Sequence, residues 1–161
     1  MSRAAGAYAG ALSAIVHALK YQRRTSLAAP LGALMLRHGP DVLEGADVCV
    51  PVPLHSSRLR ARGFNQAALL ARSLALPCID ALVRTRATPS QTDLPAHQRR
   101  RNVKGAFAAV DSKVTSAAVE GACIVLVDDV ATTGATLREC AEMLSRAGAR
   151  EVRALTAARA L

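Results

Sequence analysis

Apolar residues recur at helical spacing over Tyr8, Leu12, Ile15, Val16 and Leu19, which predicts a first helix. Lys20, Arg23 and Arg24 follow at its C-terminal end, where the helix dipole tolerates positive charge. Ser26 is placed to cap a second helix running to about Arg37, with Pro30 in its first turn and His38, Gly39 and Pro40 stopping it. Asp47 to Pro53 reads as a short strand ending in V-P-V-P, because proline is poor in a central strand. A short basic loop, HSSRLRARG, comes next. A helix from about Asn65 to Leu76 then carries Ala67, Leu70, Ala71 and Leu74 on one face. Ala81 to Arg86 and Phe107 to Val110 are candidate paired strands. The polar, basic stretch 88–105 between them reads as a lid or as a plain surface loop. Ile124 to Val127 is a buried strand, Gly134 to Ala147 a helix with Leu137, Cys140, Ala141 and Leu144 inward, and Glu151 to Thr156 a last strand.

This order predicts one α/β domain over 1–161, with a mostly parallel central sheet and helices on both faces. Composition supports it. Half of the 161 residues are hydrophobic (51%), but there are only two Phe, two Tyr and no Trp. The core must therefore be Ala, Val, Leu and Ile, which suits helices packed on a parallel sheet. No apolar run approaches the roughly 20 residues that span a bilayer, and no signal peptide is recognisable, so a cytoplasmic protein without a membrane partner is expected. The cysteines Cys49, Cys78, Cys123 and Cys140 form no C-x-x-C pair and read as reduced thiols, mostly buried, rather than metal ligands. The net charge of +9 favours anionic partners such as phosphorylated metabolites, nucleic acid or an acidic protein surface. A solvated basic surface explains the charge equally well.

The chemistry concentrates in IVLVDDVATTGAT, Ile124 to Thr136. Two acids, Asp128 and Asp129, end an apolar strand, and Ala131, Thr132, Thr133, Gly134, Ala135 and Thr136 lead into a helix. A helix N-terminus offers free N–H groups and the positive end of a dipole to phosphate. The threonines add hydroxyl donors, and Gly134 allows close backbone approach. The carboxylates cannot bind phosphate, but they can accept hydrogen bonds from ribose hydroxyls and orient a hydrated Mg²⁺. The plainer alternative is a strand, a turn with a Thr cap and two solvated acids.

This segment resembles the signature of type I phosphoribosyltransferases. The resemblance implies that Asp128 and Asp129 hold the ribose 2- and 3-hydroxyls. Thr132, Thr133, Gly134 and Thr136, with backbone from Ala131 to Ala135, would hold the 5-phosphate of phosphoribosyl pyrophosphate, with Mg²⁺. In the 6-oxopurine members an Asp implicated as general base precedes T-G. Here that position is aligned with Thr132, so the resemblance does not extend to that substrate. VPVPLHSSRLRARGFNQA from Val50 to Ala67, R-x-R-x-T-x-x-Q at Arg84 to Gln91, and R-x-N-V-K-G-A-F at Arg100 to Phe107 further resemble the ComF/GntX family, linked with DNA uptake in competence. The match runs from about Tyr8 to Thr156. It implies a type I phosphoribosyltransferase-like fold with a hood hairpin. In type I enzymes the loop after the first strand binds pyrophosphate. His55, Ser56, Ser57 and Arg58 are the nearest candidates, and Arg58, Arg60 and Arg62 could meet a diphosphate with charge-assisted hydrogen bonds. Arg100, Asn102 and Lys104 would belong to a closing lid. Many ComF-like proteins begin with a four-cysteine zinc module, whose cysteines are not in this sequence.

Three functions fit these residues. One is transfer of a phosphoribosyl group to an unidentified acceptor, mostly by positioning and electrostatics. Another is a non-catalytic adaptor or single-stranded DNA-binding module acting with competence proteins. The third is a regulator sensing phosphoribosyl pyrophosphate, for which no helix-turn-helix is evident.

Overall fold

A computed structural model describes residues 1–88 and 101–160. At its centre is strand β5, Cys123–Ala131. Ile124, Val125, Leu126 and Val127 are all fully buried, because the strand is covered on both faces. Val125 and Val127 pack with Val16, Leu19, Met35 and Leu70 on one face, and Ile124 and Leu126 with Phe107, Leu137, Cys140 and Leu144 on the other. The alternation is the two-residue period of a strand.

Four strands form one sheet in the order β1-β6-β5-β2, every pair parallel. β1 is Ser2–Ala4, β2 is Val48–Pro51 and β6 is Glu151–Arg159. Helices α1 (Gly10–Tyr21), α2 (Ala28–His38) and α3 (Pro40–Leu43) link β1 to β2. After β2 come α4 (Ser56–Arg62) and α5 (Gln66–Ala71), the latter packed on the Val125 face. After β5 comes α7 (Ala135–Arg146), packed on the Ile124 face. β2 and β5 are neighbours whose chains leave toward opposite faces, and such a divergence opens a crevice at the carboxyl ends of the strands. A further short helix, α6 (Lys113–Val119), precedes β5.

The expected hood hairpin is present: β3 (Leu82–Arg84) pairs antiparallel with β4 (Phe107–Ala109). A parallel bridge between His55 and Arg84 pins it to the turn after β2. Gly105 N–H donates to Glu139 Oε1 at 2.5 Å and pins it to α7. Cys49, Cys123 and Cys140 are buried, Cys78 is half-buried, and all four are free thiols.

Several boundaries differ from the sequence reading. Tyr8 precedes α1 rather than joining it. Ser26 caps nothing: it lies in a 3-10 turn, Thr25–Leu27, ahead of α2. Pro40 both follows α2 and starts α3, a position where its missing N–H costs nothing. HSSRLRARG is not a loop. It folds as α4, started by the His55 ring accepting from Ser57 N–H and ended by Gly63 at φ 87°. The helix predicted from Asn65 to Leu76 is regular only to Ala71, with Asn65 capping it by accepting from Ala67 N–H. β5 runs four residues and β6 three residues past the ends expected from the sequence. They pair with each other out to Ala131 and Arg159.

Candidate functional site

β5 delivers both aspartates to the crevice. Asp129 is 3% exposed and Asp128 is half-buried. The backbone at the strand end turns its N–H groups onto them: Asp129 N–H donates to Asp128 Oδ1 at 2.8 Å and Val130 N–H to Asp129 Oδ1 at 2.9 Å. Burial, reinforced by the Asp129 charge, pushes the Asp128 carboxyl well above its usual range. Lys20, from the last turn of α1, places Nζ 2.6 Å from Asp129 Oδ2. Burial works against the Lys20 charge, but the Asp129 carboxylate outweighs it and holds the ammonium above the ordinary lysine range. The Lys20 ammonium is therefore the partner of Asp129 Oδ2.

Past β5 the chain turns through residues 132–134 into α7. Gly134 sits at φ 74° as the N-cap with no capping side chain. Its positive φ suits glycine. Ala131, Thr132, Gly134, Ala135 and Thr136 line a cavity of about 530 Å³ together with Asp128 and Asp129. Of the expected phosphate-loop residues, only Thr133 turns out to solvent.

The opposite wall is cationic. Arg58 and Arg62 of α4, Gln66 of α5, Arg84 of the hood, Tyr21 at the end of α1 and Arg23 just after it also line the cavity. Arg58 donates to the Thr88 carbonyl at 2.8 Å, and Arg84 hydrogen-bonds Thr88 Oγ1. Arg84 is 8% exposed, lies 5.2 Å over the Phe107 ring, and its Nε is buried with no hydrogen-bond partner. Burial, then the neighbouring Arg58 charge, lowers its pKa. Arg62 hydrogen-bonds Gln66 and sits 5.5 Å over Tyr21.

The turn after β2 therefore contributes Arg58 but not the whole expected group. His55, Ser56 and Ser57 do not line the cavity. The His55 ring is engaged by Ser57, with Nδ1 2.8 Å from Ser57 Oγ and 3.3 Å from its N–H. Of the lid residues, Arg100 lies outside the described residues. Arg86 donates to the Asn102 carbonyl at 3.4 Å and to the Lys104 carbonyl at 2.7 Å, and neither Asn102 nor Lys104 lines the cavity. Sequence reasoning missed Lys20, Arg23, Gln66 and Arg84 as site residues. Arg84 carried a signal as the first residue of the R-x-R-x-T motif. Lys20 carried none beyond its place at a helix end.

The phosphoribosyl transferase domain matches residues 59–161. The DNA utilization protein YhgH of Escherichia coli K12 is 41% identical over 155 residues, covering 90% of this chain and 66% of that protein. Competence protein F of Haemophilus influenzae is 33% identical over 165 residues, covering 96% of this chain and 71% of its own length. The chain belongs to the ComF family of phosphoribosyltransferase-domain proteins. Competence protein ComFC of Bacillus subtilis is 38% identical over 101 residues, covering 63% of this chain and 39% of ComFC. Among solved structures, glutamine phosphoribosylpyrophosphate amidotransferase from B. subtilis superposes with a TM-score of 0.54 at 26% identity, over 83% of this chain and 26% of that one. The ComF-family domain thus shares the type I phosphoribosyltransferase fold, and it spans about two thirds of the length of the DNA utilization proteins it matches. No described helix is long and apolar enough to cross a membrane.

Proposed function

We propose that the ComF-family domain binds phosphoribosyl pyrophosphate in the crevice between β2 and β5. The 5-phosphate would sit on Ala131 to Thr136, the ribose hydroxyls on Asp128 and Asp129, and the diphosphate toward Arg58 and Arg84. The observation that carries this reading is the cavity itself, where the acid pair at the end of β5 and the start of α7 share one lining with Arg58 and Arg84. A ligand with hydroxyls at one end and phosphates at the other matches acids and arginines brought to one cavity. A cavity of about 530 Å³ is of the size that small ligands fill.

Transfer of the phosphoribosyl group to an acceptor is the enzymatic form of this proposal. The arginines would stabilise the departing diphosphate by charge already in place, while the acids fix a ribose ring that gains positive charge. Magnesium enters only as the counter-ion a diphosphate carries in solution. The acid pair does not fit a protein-held ion, since the Lys20 ammonium stands on Asp129. A second reading is a ligand-binding module without turnover, placed in DNA use because relatives are named a DNA utilization protein and a competence protein.

Calorimetry with phosphoribosyl pyrophosphate and Mg²⁺, on the wild type and on Asp128→Asn/Asp129→Asn, tests the site. Binding by the wild type and at least about tenfold weaker binding by the double variant are expected. No binding by the wild type would sink the proposal. Given binding, pyrophosphate release with a nucleobase panel separates the transferase from the module.

A further inference from the structure

Adjacent carboxylates at a strand end suggest a divalent-cation site, but the residue facing them argues otherwise. Lys20 Nζ lies 2.6 Å from Asp129 Oδ2, and the two side chains are only 16% and 4% exposed. A carboxylate-held Mg²⁺ needs oxygen at about 2.0–2.1 Å within a near-octahedral shell. An ammonium resting on that oxygen excludes a dication by volume and by charge. Asp129 Oδ1 is occupied as well, accepting from Val130 N–H at 2.9 Å. Among the described residues no group of three His, Cys, Asp or Glu side chains could hold a metal. Asp128 is left, and its carboxyl is held toward the neutral form by burial and by Asp129.

We propose that Lys20 is the built-in cation of this site, standing where a protein-bound divalent ion would stand, so that the acid pair holds a ribose phosphate without a metal ion. The inference rests on the phosphoribosyl reading above and deepens it. Lys20 is then a positioning residue. It fixes the net charge of the acid pair and the orientation of the Asp129 carboxylate, whose two oxygens face Val130 N–H and the ammonium. A tethered ammonium, unlike an ion, cannot be chelated away.

Ribose 5-phosphate is the suitable probe because it lacks the diphosphate that brings its own Mg²⁺. Calorimetry on the wild-type chain in EDTA and in millimolar Mg²⁺ should give affinities within about twofold of each other. A requirement for Mg²⁺ of about tenfold or more overturns the proposal. Independently, free Mn²⁺ is followed by electron paramagnetic resonance. The wild type and Lys20→Arg should leave the ion free. Lys20→Gln should bind it at least about tenfold more tightly than the wild type, and lose that binding when Asp129→Asn is added. Equal Mn²⁺ binding by wild type and Lys20→Gln would again overturn it. Should Lys20→Gln not fold, the wild-type titrations and Lys20→Arg still decide. If ribose 5-phosphate fails to bind the wild type under both conditions, the phosphoribosyl reading falls, and the Mn²⁺ titration still reports on Lys20.

Discussion

Asp128 and Asp129 are adjacent and chemically alike, yet the fold treats them differently. The Asp128 carboxyl is raised by burial and by its neighbour's charge, from an unfolded value of about 3.9. A raised carboxyl favours the folded state where it holds its proton, so that contribution is present at low pH and lost as pH climbs from about 4 through the raised value. Asp128→Asn should remove this slope and raise the melting temperature at neutral pH. Asp129→Asn should act oppositely, because it strands the Lys20 ammonium among buried groups, a loss on the order of 3 kcal/mol. Thermal melts of the two single variants at pH 5 and 8 check both signs, and a common direction at pH 8 would refute the assignment. Ligand affinity has its own profile. A carboxylate accepts hydroxyl hydrogen bonds on both oxygens only when ionised, so ribose 5-phosphate binding should strengthen as pH rises through the Asp128 value and flatten in Asp128→Asn. The acids and threonines were legible in the sequence because they are consecutive. Lys20 was not, and Arg84 was visible only as the start of a motif, since one arrives on α1 and the other on the hood and only the tertiary approach makes them part of the site.

Two glycines, one opening α7 and one inside α2, test how the elements are held. Gly134 has φ 74° and lines the cavity, and a Cβ added there meets nothing within 4 Å. Gly134→Ala should therefore cost only the left-handed strain, about 1–2 kcal/mol. It should weaken ribose 5-phosphate binding by more than that, because the new methyl group stands where the backbone approaches the phosphate. Gly32 in α2 is different: its Cβ would fall 2.3 Å from Ser73 Cβ, just beyond α5. Overpacking of this kind costs roughly 1–3 kcal/mol. Gly32→Ala should lower the midpoint of urea unfolding, and adding Ser73→Gly should restore much of it as a coupled pair. Elements with strong periodicity, such as α1, β5 and α7, were visible in the sequence. α4 was not: its one large apolar residue, Leu59, is 42% exposed, so no stripe marks it, and its ends rest on His55 and Gly63. β1 escaped notice because three residues centred on Arg3 carry no alternation, and their strand exists only through pairing with β6.

At the scale of the whole molecule, the α/β class followed from apolar runs alternating with helical periods. The position of the crevice did not follow, because the sequence carries no statement that β2 pairs with β5. That pairing collects charge. Lys20, Arg23, Arg58, Arg62 and Arg84 line one cavity with Asp128 and Asp129, five cations against two acids, in a chain of net charge +9. Two anionic partners compete to explain this excess, a phosphorylated metabolite and single-stranded DNA. They differ in size. A strand engages its partner along a groove spanning several nucleotides, which a cavity of about 530 Å³ cannot enclose. DNA bound by this domain would have to lie on the outer basic surface. Oligonucleotide binding should then fall with salt at about 0.7 log units per decade for each phosphate contacted. It should survive Arg84→Met unchanged and persist under saturating phosphoribosyl pyrophosphate, while Arg84→Met weakens phosphoribosyl pyrophosphate itself by about tenfold or more. Fluorescence anisotropy of a labelled oligonucleotide, titrated with the metabolite, reads all of this. Displacement of the DNA would mean that the cationic wall, rather than the outer surface, is where nucleic acid binds.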